Sequence, residues 1–411
     1  MERILLLATP ADDEYDPFLR NNVAEPPLGL LYLWTALEQS GLCEHVSLVD
    51  AYLDPALADE LPKILAARKI TQLWISLMST EGYRCLGNRL EQLRALFPRL
   101  KITGGGALFR RMEDQAVGRF LGDFDLIVVG DADLEIEHIL RAEGIYRCRP
   151  IPSPLEVPYP NRSAVDLSAY FASGRTPHHV VIGARGCVGT CSFCSISCRK
   201  PYLRAPREVI TEIRYLHRAT AIACFSLIDD VMAFSPKRFS EYERHLGSLR
   251  DDVQLDVSWR IDRFSPQIAR RLVSLGVRVV RFGVESIDPQ TQALLGKSFS
   301  PIEVKEAARL CRENGLSPCF YFMFGFATDT ERKIADLIDF MTELSADIPV
   351  PPYLGIIRIL EGTPLKRLYT DRGWLEGGSP KRGVPIERLL EVLGGWRHRF
   401  AGFFETGGDG P

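Results

Sequence analysis

The sequence predicts an α/β protein in two parts: a doubly wound parallel sheet over residues 1–145, then a partial (β/α)6 barrel over 178–345. Three observations predict it. Short, nearly continuous apolar runs ending in Gly, Asp, Ser or Thr recur along the chain, the pattern of strands buried on both faces of a parallel sheet. Helical periodicities separate these runs, as successive βαβ units require. One Pro-rich stretch at 146–177, "YRCRPIPSPLEVPYPNRSAVDLSAYFASGRTP", interrupts the series and reads as an interdomain strap.

In the first part the strands are expected at "RILLLATP" (3–10), "VSLVDAY" (46–52), "QLWISLMS" (72–79), "LKITGGG" (100–106) and "DLIVVGD" (125–131). Helical patterns lie between them, including "GLLYLWTALEQSG" (29–41), closed by a Gly after its last apolar turn, and "YRCLGNRLEQLRALF" (83–97). Ligands of such sheets sit at the C-terminal strand ends. Here those ends carry Ser76, Ser79, Thr80, Gly104, Gly105, Gly106, Gly130 and Asp131, small residues that let backbone approach a large flat ligand.

The second part offers six strands: "HHVVIGAR" (178–185), "IACFSLIDD" (222–230), "QLDVSWRI" (254–261), "RVVRFGVES" (278–286), "SPCFYFMFGF" (317–326) and "YLGIIRIL" (353–360). Helices intervene at 265–276, with Ser265 as cap and Pro266 in the first helical position, and at 300–315. Chemistry in a barrel of this kind is expected at the C-terminal strand ends. Residues 346–411 supply the final strand and a short extension.

Composition narrows the function classes. The 411 residues are 46% hydrophobic and 25% charged, with a net charge of −3, which is globular rather than disordered. No run of five Lys or Arg occurs, so nothing recommends nucleic acid or an anionic membrane as partner. The opening "MERILLLATPADDEY" turns acidic too soon for a signal peptide, and no apolar run reaches ~18 residues. A cytoplasmic protein is expected. In that compartment the ten cysteines are candidates for metal binding or chemistry rather than disulfides.

The chemistry concentrates in "GARGCVGTCSFCSISCRKPY" (183–202), with Cys187, Cys191 and Cys194 spaced C-x3-C-x2-C. A structural zinc site usually takes two C-x2-C or C-x2-H knuckles, and only one is present. Cys198 could complete a zinc site, and that is the competing reading. Three thiolates on one short loop suit a [4Fe–4S] cluster with one iron left open. In this pattern, following a first barrel strand and with Phe193 before the last cysteine, the sequence resembles the radical S-adenosylmethionine (radical SAM) superfamily. The resemblance implies that SAM chelates the open iron and is cleaved reductively to a 5′-deoxyadenosyl radical. It further implies an external electron donor of flavodoxin or ferredoxin type.

On the same resemblance, SAM is contacted by Phe193, by Asp229 and Asp230 in "LIDDVMAF", by Arg260 in "SWRID", by Glu285 in "RFGVES", and by Phe324 and Gly325 in "FMFGF". Tyr321 and two strand cysteines, Cys224 and Cys319, are candidate hydrogen-atom donors. The order of sheet, strap and barrel resembles one branch, the radical SAM enzymes with a cobalamin-binding domain. "PPLGLLYLWTALEQSG" (26–41), "ITGGG" (102–106) and "FDLIVVGDADLEI" (124–136) carry that likeness. The first domain is then Rossmann-like and of cobalamin-binding type, the second a TIM-like radical SAM barrel. Cobalamin contacts fall on Pro27, Leu28 and Gly29 and on the strand-end residues named above. No D-x-H-x-x-G is present, and Gly-Asp-Ala-Asp at 130–133 replaces the branch's Gly-Glu-Gly-Glu. The implied activity is methylation of an unactivated carbon or phosphorus of a small biosynthetic intermediate. The alternatives are radical oxidation, cyclisation, decarboxylation or rearrangement without cobalamin, and a non-catalytic metal-binding regulator.

Overall fold

The computed structural model describes residues 2–9, 25–78, 80–86, 89–149, 157–171, 177–196, 201–229, 235–349, 352–376, 379–385 and 388. Ser79, Asp230 and Cys198, singled out above, lie outside these. The chain divides into two compact units, one formed by residues 1–172 with 195–197 and 360–362, the other by the remainder.

The first unit is built on six parallel strands: β1 (Glu2–Ala8), β2 (Cys43–Asp50), β3 (Gln72–Ser76), β4 (Lys101–Gly105), β5 (Leu126–Val129) and β6 (Gly144–Arg147), in the order β2-β1-β3-β4-β5-β6. Successive residues of β1 serve opposite cores. Leu5 and Leu7 join one cluster with Leu73, Ile75 and Phe109, while Ile4 and Leu6 join another with Leu30, Leu37 and Trp74. Each such apolar side chain contributes about 1.5–3 kcal/mol on burial. That is why the strand reads as an unbroken apolar run. The helix Leu28–Ser40 ends at Gly41 in the left-handed conformation, φ 66°. The pattern at 83–97 becomes two shorter helices, Thr80–Leu86 and Arg89–Leu96.

Two features differ from the sequence expectation. β6 falls at the start of the Pro-rich stretch and was not expected there, because a four-residue edge strand that is only partly buried carries no apolar run. The strap itself packs on the first unit. Thr35 Oγ1 donates to Tyr159 O at 3.0 Å and accepts from Asn161 N–H at 2.8 Å, and the Tyr170 hydroxyl donates to Asp50 Oδ2 at 2.5 Å.

In the second unit β7 (His178–Val181) is followed by a two-residue antiparallel ribbon, β8 (Ala184–Arg185) with β9 (Tyr202–Leu203). Then come β10 (Cys224–Leu227), β11 (Gln254–Trp259), β12 (Val277–Glu285), β13 (Ser317–Phe324) and β14 (Tyr353–Ile356). The six long strands form one parallel sheet in chain order, β7 at one edge and β14 at the other. This is the curled sheet of a partial barrel, and all six strands fall within the expected runs but for one residue at the start of β12. The helices begin where a capping side chain meets a proline. Ser235, Ser265, Asp288 and Ser300 each accept a backbone N–H in the first turn, each with Pro next in sequence. One face of the sheet is apolar and buried: Leu255, Val257 and Trp259, then Val280, Phe282 and Val284, then Phe320, Phe322 and Phe324. The other is polar, with Ser226, Asp256, Arg281 and Tyr321. No helix among the described residues is long and apolar enough to cross a membrane.

The glycines at the first unit's strand ends have different causes. Gly106 has φ 104°, and a Cβ there would overlap the Leu77 carbonyl. A Cβ at Gly105 would meet nothing closer than Val128 O at 3.6 Å. Gly106→Ala is therefore expected to lower the unfolding free energy by more than about 2 kcal/mol, and Gly105→Ala by less than about 1 kcal/mol. Denaturant titration of the two variants checks this.

Candidate active site

The loop from Gly186 to Ile196 leaves the β8 end and carries Cys187, Cys191 and Cys194, all partly exposed. It contains no helix or strand, so its shape must come from outside contacts. Two thiols converge on Gly189. Its N–H donates to Cys187 Sγ at 3.2 Å, and a Cβ at this position would lie 3.2 Å from Cys187 Sγ and 3.9 Å from Cys191 Sγ. Arg260, at the end of β11, brings Nη1 within 3.8 Å of Cys191 Sγ and is held by Asp262 through two bonds of 2.9 Å. Burial works against the charge on Asp262, but the Arg260 bonds outweigh it and hold the carboxyl below its ordinary value. A fixed cation thus lies beside the second thiol of the loop.

Ser192 anchors the middle of the loop. Its N–H donates to Leu295 O at 3.0 Å, its hydroxyl to Leu294 O at 2.5 Å, and its carbonyl accepts from Leu365 N–H at 2.9 Å. Leu294 and Leu295 end the helix Pro289–Leu295, where carbonyls have no partner within the helix. Gly296, the cap of that helix, lets the two segments meet, since a Cβ there would sit 3.0 Å from Thr190 O. Phe193 points into a cluster with Leu295, Phe326, Ile357, Leu365 and Tyr369.

Behind the loop, a buried polar group fixes the β7–β8 turn. Arg204 Nη1 donates to Ile182 O at 2.7 Å and to Glu212 Oε2 at 2.8 Å; Arg238 Nη2 donates to Gly183 O at 3.1 Å. Asp229 belongs to this group. Its Oδ1 accepts from Gly183 N–H at 2.6 Å and Ala184 N–H at 2.8 Å. The structure thus gives Asp229 a task in shaping the turn, which its neighbourhood in sequence did not reveal.

At the end of β12, Glu285 is buried with φ 68° and its carboxylate meets Lys297 Nζ at 3.0 Å. At the end of β13, Gly325 (φ 90°) and Phe326 donate their N–H groups to Asp329 Oδ2 at 2.7 and 2.9 Å. The expectation for Phe324 needs correction. Its ring is fully buried on the apolar face with Phe320 and Phe322, so the ring does not face the strand-end site, and its carbonyl accepts from Ile357 N–H at 2.9 Å. The alternation of the strand decides this, because Phe324 is even with the core residues.

The polar face of the sheet lies below these strand ends. Arg281 Nη2 donates to Asp256 Oδ2 at 2.7 Å, and Ser226 Oγ approaches the same oxygen at 3.4 Å. Tyr321 is 36% exposed and stacks on Tyr353, 42% exposed, with centroids 5.1 Å apart and planes inclined 16°. Burial of the hydroxyl, with Cys319 beside it, pushes the Tyr321 pKa well up, and burial also raises the Cys319 thiol, to about 11. Cys224 lies on the same face, its pKa raised by burial and by Asp256.

In the first unit, Thr9 Oγ1 donates to Ser76 O at 3.2 Å, and Ser76 lies in register with Gly105. Pro27 precedes the helix whose first turn holds Leu28 and Gly29; Gly29 has open space around it. Thr80 opens its own helix, and Asp131 lies 3.9 Å from Arg110. Gly104, Gly106 and Gly130 are required by packing against Phe124, Leu77 and Cys148, so a ligand is not needed to explain them.

The family model of the radical SAM superfamily matches residues 181–341, the stretch from the end of β7 through the helix after β13. This segment is a radical SAM domain. An uncharacterized methyltransferase of Pyrococcus horikoshii is 23% identical over 402 residues, covering 90% of this chain and 85% of that protein. Among solved structures, the radical SAM methyltransferase TsrM of Kitasatospora setae, with tryptophan substrate and the SAM analogue aza-SAM bound, superposes with a TM-score of 0.69. It is 19% identical and covers 90% of this chain and 76% of its own. The cobalamin-dependent radical SAM enzyme OxsB, with aqua-cobalamin and SAM bound, gives a TM-score of 0.70 at 15% identity, covering 97% of this chain and 67% of its own. At these identities the two structures establish a shared fold.

The radical SAM domain carries one titration legible in its geometry. Burial raises the Asp329 carboxyl to about 6, although the Phe326 and Gly325 amides and Lys333 favour its charged form. A carboxyl raised on folding adds stability when protonated, in full below about pH 4, and that part is lost as pH rises through about 6. Relative to Asp329→Asn, the wild-type unfolding free energy is expected to fall by up to about 3 kcal/mol over that window. Paired denaturation series at pH 4 to 7 measure it.

Proposed function

We propose that this protein is a cobalamin-dependent radical SAM methyltransferase acting on a small molecule. The observation that carries the reading is the three-cysteine loop, gripped at the C-terminal edge of a parallel barrel sheet inside a radical SAM domain. The donor set fits a [4Fe–4S] cluster: three thiols on one loop, two of them converging on Gly189, with a cation beside Cys191. With SAM, such a cluster supplies a 5′-deoxyadenosyl radical able to abstract hydrogen from an unactivated carbon.

The first unit supports the cobalamin part. Its strand order and small strand-end residues suit a flat cofactor at the C-terminal edge. Gly105 is the strand-end position where the protein's own packing does not demand a glycine, and it lies in register with Ser76, next to Thr9. The likeness in fold to TsrM and OxsB extends over both units. Bound cobalamin would supply the methyl group.

The chain's own residues then divide the work. Cys187, Cys191 and Cys194 hold the cluster, with the Arg260 guanidinium beside Cys191. Glu285, the Gly325 backbone and Phe193 stand where SAM is expected, with Asp229 shaping the turn beneath. Asp256, Arg281 and Tyr321 form a polar and aromatic wall for a substrate. The exposed, stacked Tyr321–Tyr353 pair adds aromatic surface to that wall. A one-electron donor of flavodoxin or ferredoxin type would reduce the cluster.

Two measurements on anaerobically reconstituted protein test this. Reduction in the presence of SAM is expected to yield 5′-deoxyadenosine, and Cys191→Ala is expected to abolish it. Methyl-labelled SAM is expected to pass label to product in protein that retains cobalamin. Formation of 5′-deoxyadenosine without bound cobalamin or label transfer would favour radical oxidation or rearrangement. Absence of 5′-deoxyadenosine from the wild type would favour a non-catalytic metal protein.

A further inference from the structure

The end of β12 holds a strained backbone position. Glu285 has φ 68° and is the middle residue of a γ-turn, closed by the Ser286 N–H on Val284 O at 2.9 Å. Turns of this hand are rare and cost energy, the more so for a residue with a long side chain. The strand slips register at the same point: Gly283 pairs with Tyr321, but Glu285, two residues on, pairs with Phe322. Something must hold this geometry. Lys297 does so from the far end of the next helix. Its Nζ donates to Glu285 Oε1 at 3.0 Å and also to the Gly283 carbonyl. Both side chains are nearly removed from solvent, Lys297 8% and Glu285 12% exposed. The pair has room because residue 283 has no side chain; a Cβ there would lie 2.5 Å from Glu285 Oε1 and 3.3 Å from Lys297 Nζ.

The same ammonium faces the cysteine loop. Lys297 Nζ lies 5.9 Å from the ring centroids of both Phe193, between the second and third cysteines, and Phe299, within cation–π range. Lys297 directly follows Gly296, whose helix end grips Ser192 and passes close to the Thr190 carbonyl. One thirteen-residue segment, 285–297, therefore joins the strained strand end to the loop that carries the thiols.

We propose that Lys297 is a positioning residue for SAM: its ammonium fixes the Glu285 carboxylate in the γ-turn, in one frame with the cysteine loop. This rests on the radical SAM reading above, with Glu285 as a SAM contact. Lys297 acts through Glu285 and does not itself touch SAM. The cysteine loop keeps its own grip through Ser192, so cluster assembly does not depend on the lysine.

The test is SAM affinity, measured by calorimetry on reconstituted, unreduced protein, for wild type, Lys297→Met, Lys297→Arg, Glu285→Gln and the Lys297→Met/Glu285→Gln double variant. Iron per chain is measured alongside. Lys297→Met is expected to keep the wild-type iron content while SAM binds about ten-fold or more weakly. The double variant should lose no more than the weaker single variant, and Lys297→Arg should recover part of the affinity. Wild-type affinity in Lys297→Met, additive losses in the double variant, or no recovery with arginine would overturn the proposal. So would loss of iron in Lys297→Met, which would make the lysine a support of the loop. If cluster-bearing wild type does not bind SAM, the radical SAM reading fails instead, and the inference with it.

Discussion

The radical SAM domain depends on a grip between a helix end and a loop. Three thiols can bind separate irons of one cluster only if the loop that carries them keeps its shape, and this loop has no secondary structure of its own. The fold solves this with groups that would otherwise be unsatisfied. The last carbonyls of the helix Pro289–Leu295 have no partner inside the helix, and Ser192 offers them an N–H and a hydroxyl. Gly296 permits the close approach, and Leu365 closes the other side of Ser192. The loop's entry is fixed separately by Arg204, Arg238 and Asp229 around the β7–β8 turn. Buried cations are costly unless they are bonded, and here Arg204 Nη1 and Arg238 donate to backbone carbonyls and to Glu212.

The barrel sheet separates its two tasks by face. Strand alternation sends Phe320, Phe322 and Phe324 into the helix-covered core, and Cys319, Tyr321 and Met323 to the opposite side. The same alternation puts Asp256 and Arg281 beside one another on that side, where their bond of 2.7 Å holds both charges in place. One face is thus apolar and packed, and the other carries the polar and charged side chains. The strand ends, where backbone leaves the ladder, supply further polar groups: Arg260 and Glu285. Strain is concentrated there too, at Glu285, held by a buried lysine.

Much of this was legible in the sequence because the signals were local. Six barrel strands and their Ser-Pro and Asp-Pro helix starts are each written within a few residues. The cysteine spacing and Phe193 lie within eight positions. What could not be read were contacts made across the fold. Ser192 and Leu294 are 102 residues apart, and nothing in "CSFC" marks the serine as an anchor. Lys297 reads as an ordinary lysine after a helix-ending glycine. Asp229 reads as a ligand, yet two backbone amides use its Oδ1. The strand-end glycines of the first unit read as room for a ligand, while Gly104, Gly106 and Gly130 are required by neighbouring side chains and backbone. Pattern gives the face of a strand; it does not give the partner opposite.

In the proposed function, Cys187, Cys191 and Cys194 hold a four-iron cluster in which one iron has no ligand from this chain. Mössbauer spectroscopy of protein reconstituted with iron-57, with and without SAM, tests it most directly. Four irons per chain are expected, with one iron site whose parameters change when SAM is added while the other three stay fixed. A cluster with no SAM-sensitive site, or zinc bound in place of iron at these cysteines, would contradict it.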